Sequence, residues 1–196
     1  MMQTPPVVGV LALQGAFRAH SEALSCLDVS TVEVRTQQDL AKVDALVMPG
    51  GESTTMSQLL ESSGLFTAIS ERIAAGMQVM GTCAGLILLA RTVLDGRSDQ
   101  QSFAALDITV RRNAYGRQID SFEADLTVED LDTPFTAIFI RAPVIEAVGP
   151  GVDVIAEHLG RPVAVATSQF LGAAFHPELT QDTRVHRIFV NMIGRK

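Results

Sequence analysis

The chain has little cysteine: Cys26 and Cys83 are the only two in 196 residues, and neither stands in a Cys-x-x-Cys pair. That excludes a thiolate metal site of the zinc-ribbon kind, and one disulfide is the most the chain could form. No bound metal is expected. Positive charge is also scarce, with 15 basic against 22 acidic residues, a formal balance of −7, and no dense basic run. Such a chain repels a phosphate backbone, so nucleic acid is not an expected partner. No apolar stretch approaches the ~18 residues of a membrane span. The opening Met1-Met2-Gln3-Thr4-Pro5-Pro6 lacks the positive n-region and apolar h-region of a secretory signal. The expectation is a cytoplasmic protein with reduced thiols.

What is present suits one packed core. Hydrophobic residues make up 47% and charged residues 19%, and a chain of this size removes roughly 70% of its unfolded surface from water. Residues 1–196 are read as a single domain. Val7 to Leu13 is a nearly continuous apolar run, as in a strand buried on both faces. A helical pattern through Phe17, His20, Ala23, Leu24 and Leu27 follows, then strands at Thr31–Arg35 and Ala45–Met48. The helical pattern resumes from Ser53 to Ala75, with a strand at Met77–Met80 and an all-round apolar helix at Ala84–Thr92. Strand–helix alternation predicts a parallel sheet covered by helices. Beyond the polar stretch Asp95–Ser102, strand patterns dominate at 107–110, 122–128, 136–140, 144–148, 152–156, 163–167 and 173–175, before a last helix at Asp182–Ile193. The predicted class is α/β with a mixed, mainly parallel central sheet.

Gly81-Thr82-Cys83-Ala84-Gly85 lies between an apolar strand and an apolar helix. In that context a Gly-x-nucleophile-x-Gly elbow has physical meaning, because glycines allow the tight turn and leave room for substrate. The helix N-terminus favours thiolate over thiol, and its N–H groups can face an oxyanion. Far downstream, His176-Pro177-Glu178 sets an imidazole and a carboxylate two residues apart, on one face if the chain is extended. A carboxylate so placed holds the tautomer of the base and stabilises its cation. Cys83, His176 and Glu178 are therefore the candidate triad. His20, His158 and His186 are expected at the surface or in packing, and Cys26 as a small core residue.

Pro49-Gly50-Gly51-Glu52-Ser53-Thr54 follows the third strand, where ligands bind in open α/β sheets. It lacks the Gly-Lys-Ser/Thr ending of a phosphate loop, and a Ser or Thr is expected to cap the next helix. The run from Arg111 to Gln118, and Arg141 after an apolar strand, supply groups suited to a carboxylate.

Gly81 to Leu86 with His176-Pro177-Glu178 resembles the class I, triad-type glutamine amidotransferases. Gly9 to Gly15, Pro49 to Thr54, Arg112 to Gln118, Ser121-Phe122-Glu123, Phe139 to Pro143 and Phe175 to Thr180 narrow the likeness to the glutaminase subunits of pyridoxal 5′-phosphate synthases. The resemblance implies a flavodoxin-like, three-layer glutaminase fold, and a partner in the form of a (β/α)8-barrel synthase subunit. It implies L-glutamine as substrate, with Gly51, Glu52, Ser53, Arg112, Ile140 and Arg141 in contact with it. It further implies oxyanion donors at Gly51 and Ala84, a partner-responsive role for Gln14, and no resident cofactor. Phe103-Ala104-Ala105-Leu106 departs from a Leu-Gly-Leu pattern more usual in the family. Two other readings stay open here: a glutaminase serving a different synthase, and a non-catalytic binding subunit on the same fold.

Overall fold

A computed structural model describes residues 5–112 and 121–194. Its strands are β1 (Val7–Leu11), β2 (Ser30–Val34), β3 (Ala45–Met48), β4 (Gln78–Thr82), β5 (Ala90–Leu94), β6 (Leu106–Arg111), β7 (Ser121–Leu126), β8 (Phe135–Ile140), β9 (Val144–Val148), β10 (Asp153–His158), β11 (Arg161–Ala166) and β12 (Phe170–Ala173). The helices are α1 (Phe17–Ser25), α2 (Gln37–Leu40), α3 (Ser53–Ser62), α4 (Leu65–Ala74), α5 (Ala84–Leu89) and α6 (Arg184–Met192), with a 3-10 turn at Pro177–Leu179.

The central sheet has seven strands in the order β10-β11-β12-β4-β3-β1-β2. From β12 to β2 all neighbours run parallel, while β10 and β11 are antiparallel additions at one edge. This is the expected mixed, mainly parallel sheet of an α/β protein. β1 and β3 read as unbroken apolar runs, and β4 is apolar at Val79 and Met80, because they are covered on both faces; Val8, Val10, Val47, Val79 and Met80 are fully buried. A three-stranded sheet, β5-β6-β9, and the hairpin β7-β8 complete the described strands.

The pattern over 53–75 holds two helices rather than one. Gly64, at φ 70, separates α3 from α4, a turn that apolar periodicity passes over. α5 is buried at every position, as its composition predicts, but it stops at Leu89. The expected helix over Ala90–Thr92 is instead the start of β5, where Thr92 and Val93 pair with Thr109 and Val110 of β6. β-branched side chains fit that pleated surface better than another helical turn. The strand read at 173–175 runs earlier, over Phe170–Ala173. Beyond Ala173 its neighbour β4 has already turned away, and Ala174 N–H donates to Val163 O instead. Cys26 is exposed, not a core residue. His158 ends β10. Among the described residues, no helix is long and apolar enough to cross a membrane.

Candidate active site

Cys83 joins β4 to α5 at φ 48, ψ −101, a left-handed conformation that costs a side-chain-bearing residue about 1–3 kcal/mol. The surroundings enforce it. Cys83 N–H donates to Ala173 O at 2.9 Å, and Cys83 O accepts from Ile87 N–H at 3.2 Å. The two elbow glycines explain why the turn closes so tightly. A Cβ on Gly81 would lie 2.7 Å from the Gly85 backbone, and one on Gly85 would overlap Met48 O. The Cys83 side chain is thereby pushed out of the sheet with its sulfur 4.0 Å from Ile140 O.

His176 follows β12, and its backbone N–H donates to Ile138 O at 2.8 Å. Its Nδ1 meets Glu178 Oε1 at 2.8 Å, with both residues buried. The extended geometry expected for this pair is not what joins them. Glu178 lies in the 3-10 turn, with Pro177 at its first position, and the turn folds the carboxylate back under the ring. A carboxylate only accepts, so Nδ1 carries the proton and Nε2 is left for chemistry. Burial opposes the imidazolium, yet hydrogen bonds to Cys83 and Glu178 outweigh it and raise His176 to about 10. Burial likewise opposes the Glu178 carboxylate, but its contacts with His176 and His20 win and its pKa is lowered. The site therefore favours an imidazolium at His176 beside the nucleophile, with the Glu178 carboxylate behind it.

In front of the pair lies a cavity of ≈310 Å³. Gly51, Glu52, Ser53, Arg112, Ile140 and Arg141 all line it together with Cys83 and His176, so the predicted binding residues converge. Ser53 Oγ is buried at this wall with no hydrogen-bond partner, as a group that waits for a ligand would be. Arg112 is pre-positioned: it reaches Glu52 Oε1 at 2.9 Å, Thr54 Oγ1 at 2.9 Å and Gln100 Oε1. Arg111, by contrast, turns away into ion pairs with Asp95 and Glu146. Residues 113–118 of the same predicted binding run lie outside the described residues.

One expected role differs in the structure. The cap of α3 is Glu52, not a Ser or Thr: its carboxylate accepts from Thr54 and Thr55 N–H. Burial works against that charge, but the hydrogen bonds prevail and its pKa falls to about 2. The Glu52 side chain is thus engaged with helix and arginine. Gln14 and Ala84 are not among the described lining residues; Gln14 Oε1 accepts from Glu52 N–H at 3.2 Å, behind the wall.

Sequence reasoning found Gly50 only as part of the binding loop, and it missed the role of two histidines. A Cβ on Gly50 would overlap His176 Cε1, so the loop can pass the imidazole only as glycine. Of the two expectations, surface or packing, His20 and His186 take the second, being fully buried. They touch each other at 2.9 Å, and His20 Nε2 lies 3.3 Å from Glu178 Oε2. They are spread over more than 150 positions of chain, and no local spacing connects them.

Residues 10–195 match the model of the SNO glutamine amidotransferase family. The pyridoxal 5′-phosphate synthase subunit PdxT of Mycobacteroides abscessus is 53% identical over 188 residues, covering 96% of this chain and 97% of that protein. Its counterpart in Corynebacterium jeikeium is 51% identical over 191 residues, covering 97% and 98%. A crystal structure described as a glutamine amidotransferase superposes with a TM-score of 0.89 at 46% identity, over 95% of this chain and 98% of that one. A putative GMP synthase subunit from Thermoplasma acidophilum, 15% identical, superposes at 0.68 over 97% and 95% and shares the fold.

Proposed function

The chain belongs to the SNO glutamine amidotransferase family, and we propose that it hydrolyses L-glutamine to L-glutamate and ammonia through a γ-glutamyl thioester on Cys83. The ammonia passes to a (β/α)8-barrel subunit that builds pyridoxal 5′-phosphate, in keeping with the naming of relatives about half identical to it over nearly their whole length. The observation that carries the reading is the convergence, at one cavity, of a strained cysteine and an imidazole whose Nδ1 meets the buried Glu178 carboxylate at 2.8 Å.

In this reading the Cys83 thiolate attacks the side-chain amide carbon of glutamine, and the tetrahedral oxyanion is held by N–H groups of Gly51 and Ala84. His176 gives its proton to the departing ammonia, which leaves a thioester. Water, deprotonated by His176, then attacks the thioester and regenerates the thiolate, with glutamate released. Glu178 holds the imidazole in its Nδ1–H tautomer throughout. Arg112, Ser53, Ile140 and Arg141 grip the amino-acid end of the substrate, and Gln14, through Glu52, links the loop to partner docking. Residues 1–196 form one glutaminase domain. We place it in the cytoplasm, a compartment that keeps Cys26 and Cys83 free. The pyridoxal phosphate is the partner's product and not a cofactor of this chain.

The test is ammonia release from glutamine, with and without the purified barrel synthase, for wild type and Cys83→Ala. Wild type should be slow alone and stimulated by the synthase, and Cys83→Ala inactive in both. Turnover by Cys83→Ala would falsify the mechanism. Stimulation only by a different synthase would reassign the partner.

A further inference from the structure

Behind the triad lies a second buried polar system that the mechanism above does not use. Glu178 Oε1 serves His176, but Oε2 is buried and makes no hydrogen bond of good geometry. From α1, His20 Nε2 stands 3.3 Å from it, and both side chains are completely buried. The same Nε2 lies 3.1 Å from Thr82 Oγ1 of β4, the residue before the nucleophile. On its other side His20 Nδ1 meets His186 Nε2 of α6 at 2.9 Å. The titratable groups facing His20 are thus Glu178 and His176 from the turn after β12, and His186 from α6. The contacts run in series, and no grouping among the described residues is fit to hold a metal ion.

The tautomers follow from the acceptors. Burial holds His20 down at about 4 and His186 at about 3, so at neutral pH each ring carries one N–H. A carboxylate cannot donate, so the His20 proton belongs on Nε2, shared between Glu178 Oε2 and Thr82 Oγ1. Nδ1 of His20 must then accept, and His186 must donate from Nε2. That leaves His186 Nδ1 as a bare lone pair, and it is indeed buried without a partner. The opposite assignment would set a lone pair against the carboxylate at 3.3 Å and bury an orphaned N–H on His186, which is the costlier defect.

We propose that His20 is a positioning residue of the glutaminase: held by His186, it donates toward Glu178 Oε2 and keeps that carboxylate aimed at His176. The proposal rests on the reading of Cys83, His176 and Glu178 as the triad. A neutral donor suits the task. It satisfies the second oxygen without cancelling the charge that His176 needs, whereas a cation there would weaken the support for the imidazolium.

The experiment uses the full chain with Cys26→Ser, so that Cys83 is the one reactive thiol, and compares wild type, His20→Leu and His20→Gln. Leu fills the space without a donor, and Gln keeps an N–H within reach of the carboxylate. Two readouts are taken: kcat and KM for glutamine with the barrel synthase, and the pH dependence of Cys83 alkylation by iodoacetamide. His20→Leu should lower kcat about tenfold, the rate equivalent of one charge-assisted hydrogen bond, with KM nearly unchanged. Its alkylation profile should move its acid limb up by about one pH unit, because a less well supported imidazolium stabilises the thiolate less. His20→Gln should recover most of both. Should His20→Leu fail to fold, His186→Leu, which lets the His20 ring turn, must give shifts of the same direction and about threefold in kcat. A folded His20→Leu protein with wild-type kcat and an unmoved profile would overturn the proposal, as would a His20→Gln protein as impaired as His20→Leu. Alkylation needs no glutamine: if wild type with synthase releases no ammonia, the functional reading fails while the profile still decides on His20.

Discussion

A single methyl group added at Gly50 tests how closely the site is packed. An ideal Cβ there would overlap His176 Cε1, lie 2.9 Å from His176 Nδ1 and stand 3.4 Å from Cys83 Cβ. Ordinary contact begins at 3.4 Å, so Gly50→Ala forces the ring and the loop apart, most of all at the Cε1 edge. Nδ1 is the atom that meets Glu178 Oε1 at 2.8 Å, so the retreat strains the bond that fixes the base. Displacing a catalytic group by about 1 Å costs on the order of 100-fold in rate. The extra carbon should also destabilise the fold by about 1–3 kcal/mol, and at this size each kcal/mol lowers the thermal midpoint by about 2–4 °C. The assay is glutamine turnover with saturating synthase, with a thermal melt of the same sample. Gly50→Ala protein with wild-type kcat and midpoint would refute the placement of the loop against the imidazole.

Three further outcomes follow from the same geometry. Cys83 sits at φ 48, so Cys83→Gly and Cys83→Ala should both be inactive, but the glycine variant should melt no lower despite its larger unfolded-state entropy, since the left-handed region costs other residues about 1–2 kcal/mol; a clearly lower midpoint for Cys83→Gly would argue against the strain. Ala104, exposed at φ 51, stands in the segment that departs from the family pattern, and Ala104→Gly should raise the midpoint by about 2–4 °C with unchanged activity, reflecting about 1 kcal/mol of relief. His20 has its pKa lowered by burial from 6.5 to about 4, so below pH 6.5 the unfolded chain takes up a proton that the native state refuses. Stability should therefore fall between pH 6.5 and 4, by roughly 3 kcal/mol from this group; urea denaturation showing constant stability over that window would contradict a neutral buried His20.

The sequence exposes whatever is local. β1 and β3 were legible because a strand covered on both faces is apolar at every position, and β4 because its central Val79 and Met80 are. The elbow was legible because its glycines answer a steric demand within five residues, now visible in the packing of Gly81 on Gly85 and of Gly85 on Met48 O. The binding loop was legible as Gly50-Gly51 after a strand, although the cap turned out to be Glu52. What stayed hidden depends on partners far away in the chain. Nothing near His20 marks it as buried against Glu178, and its helix is amphipathic with or without that contact. β5 was lost for a related reason: an apolar helix running into Arg91-Thr92-Val93 changes period only because β6 lies beside it.

The order of the sheet explains how residues so far apart in the chain form one site. β12, β4 and β3 are adjacent and parallel, with Ala173 beside Thr82 and Met48 beside Gly81. Neighbouring strands lie about 4.8 Å apart, so the carboxyl ends of these three put the loop with His176, the elbow with Cys83 and the Gly50 loop within reach of one another. β1, one strand further along, contributes Gln14 and then α1 with His20. The nucleophile therefore occupies the middle strand, with its base on one flank and its glycine wall on the other. This placement also accounts for the tolerance of so much local cost. A positive-φ cysteine, a buried carboxylate and two neutral buried histidines are each unfavourable alone. They are held by strands whose apolar side chains are almost fully buried, and relaxing any one of them would require the sheet itself to open.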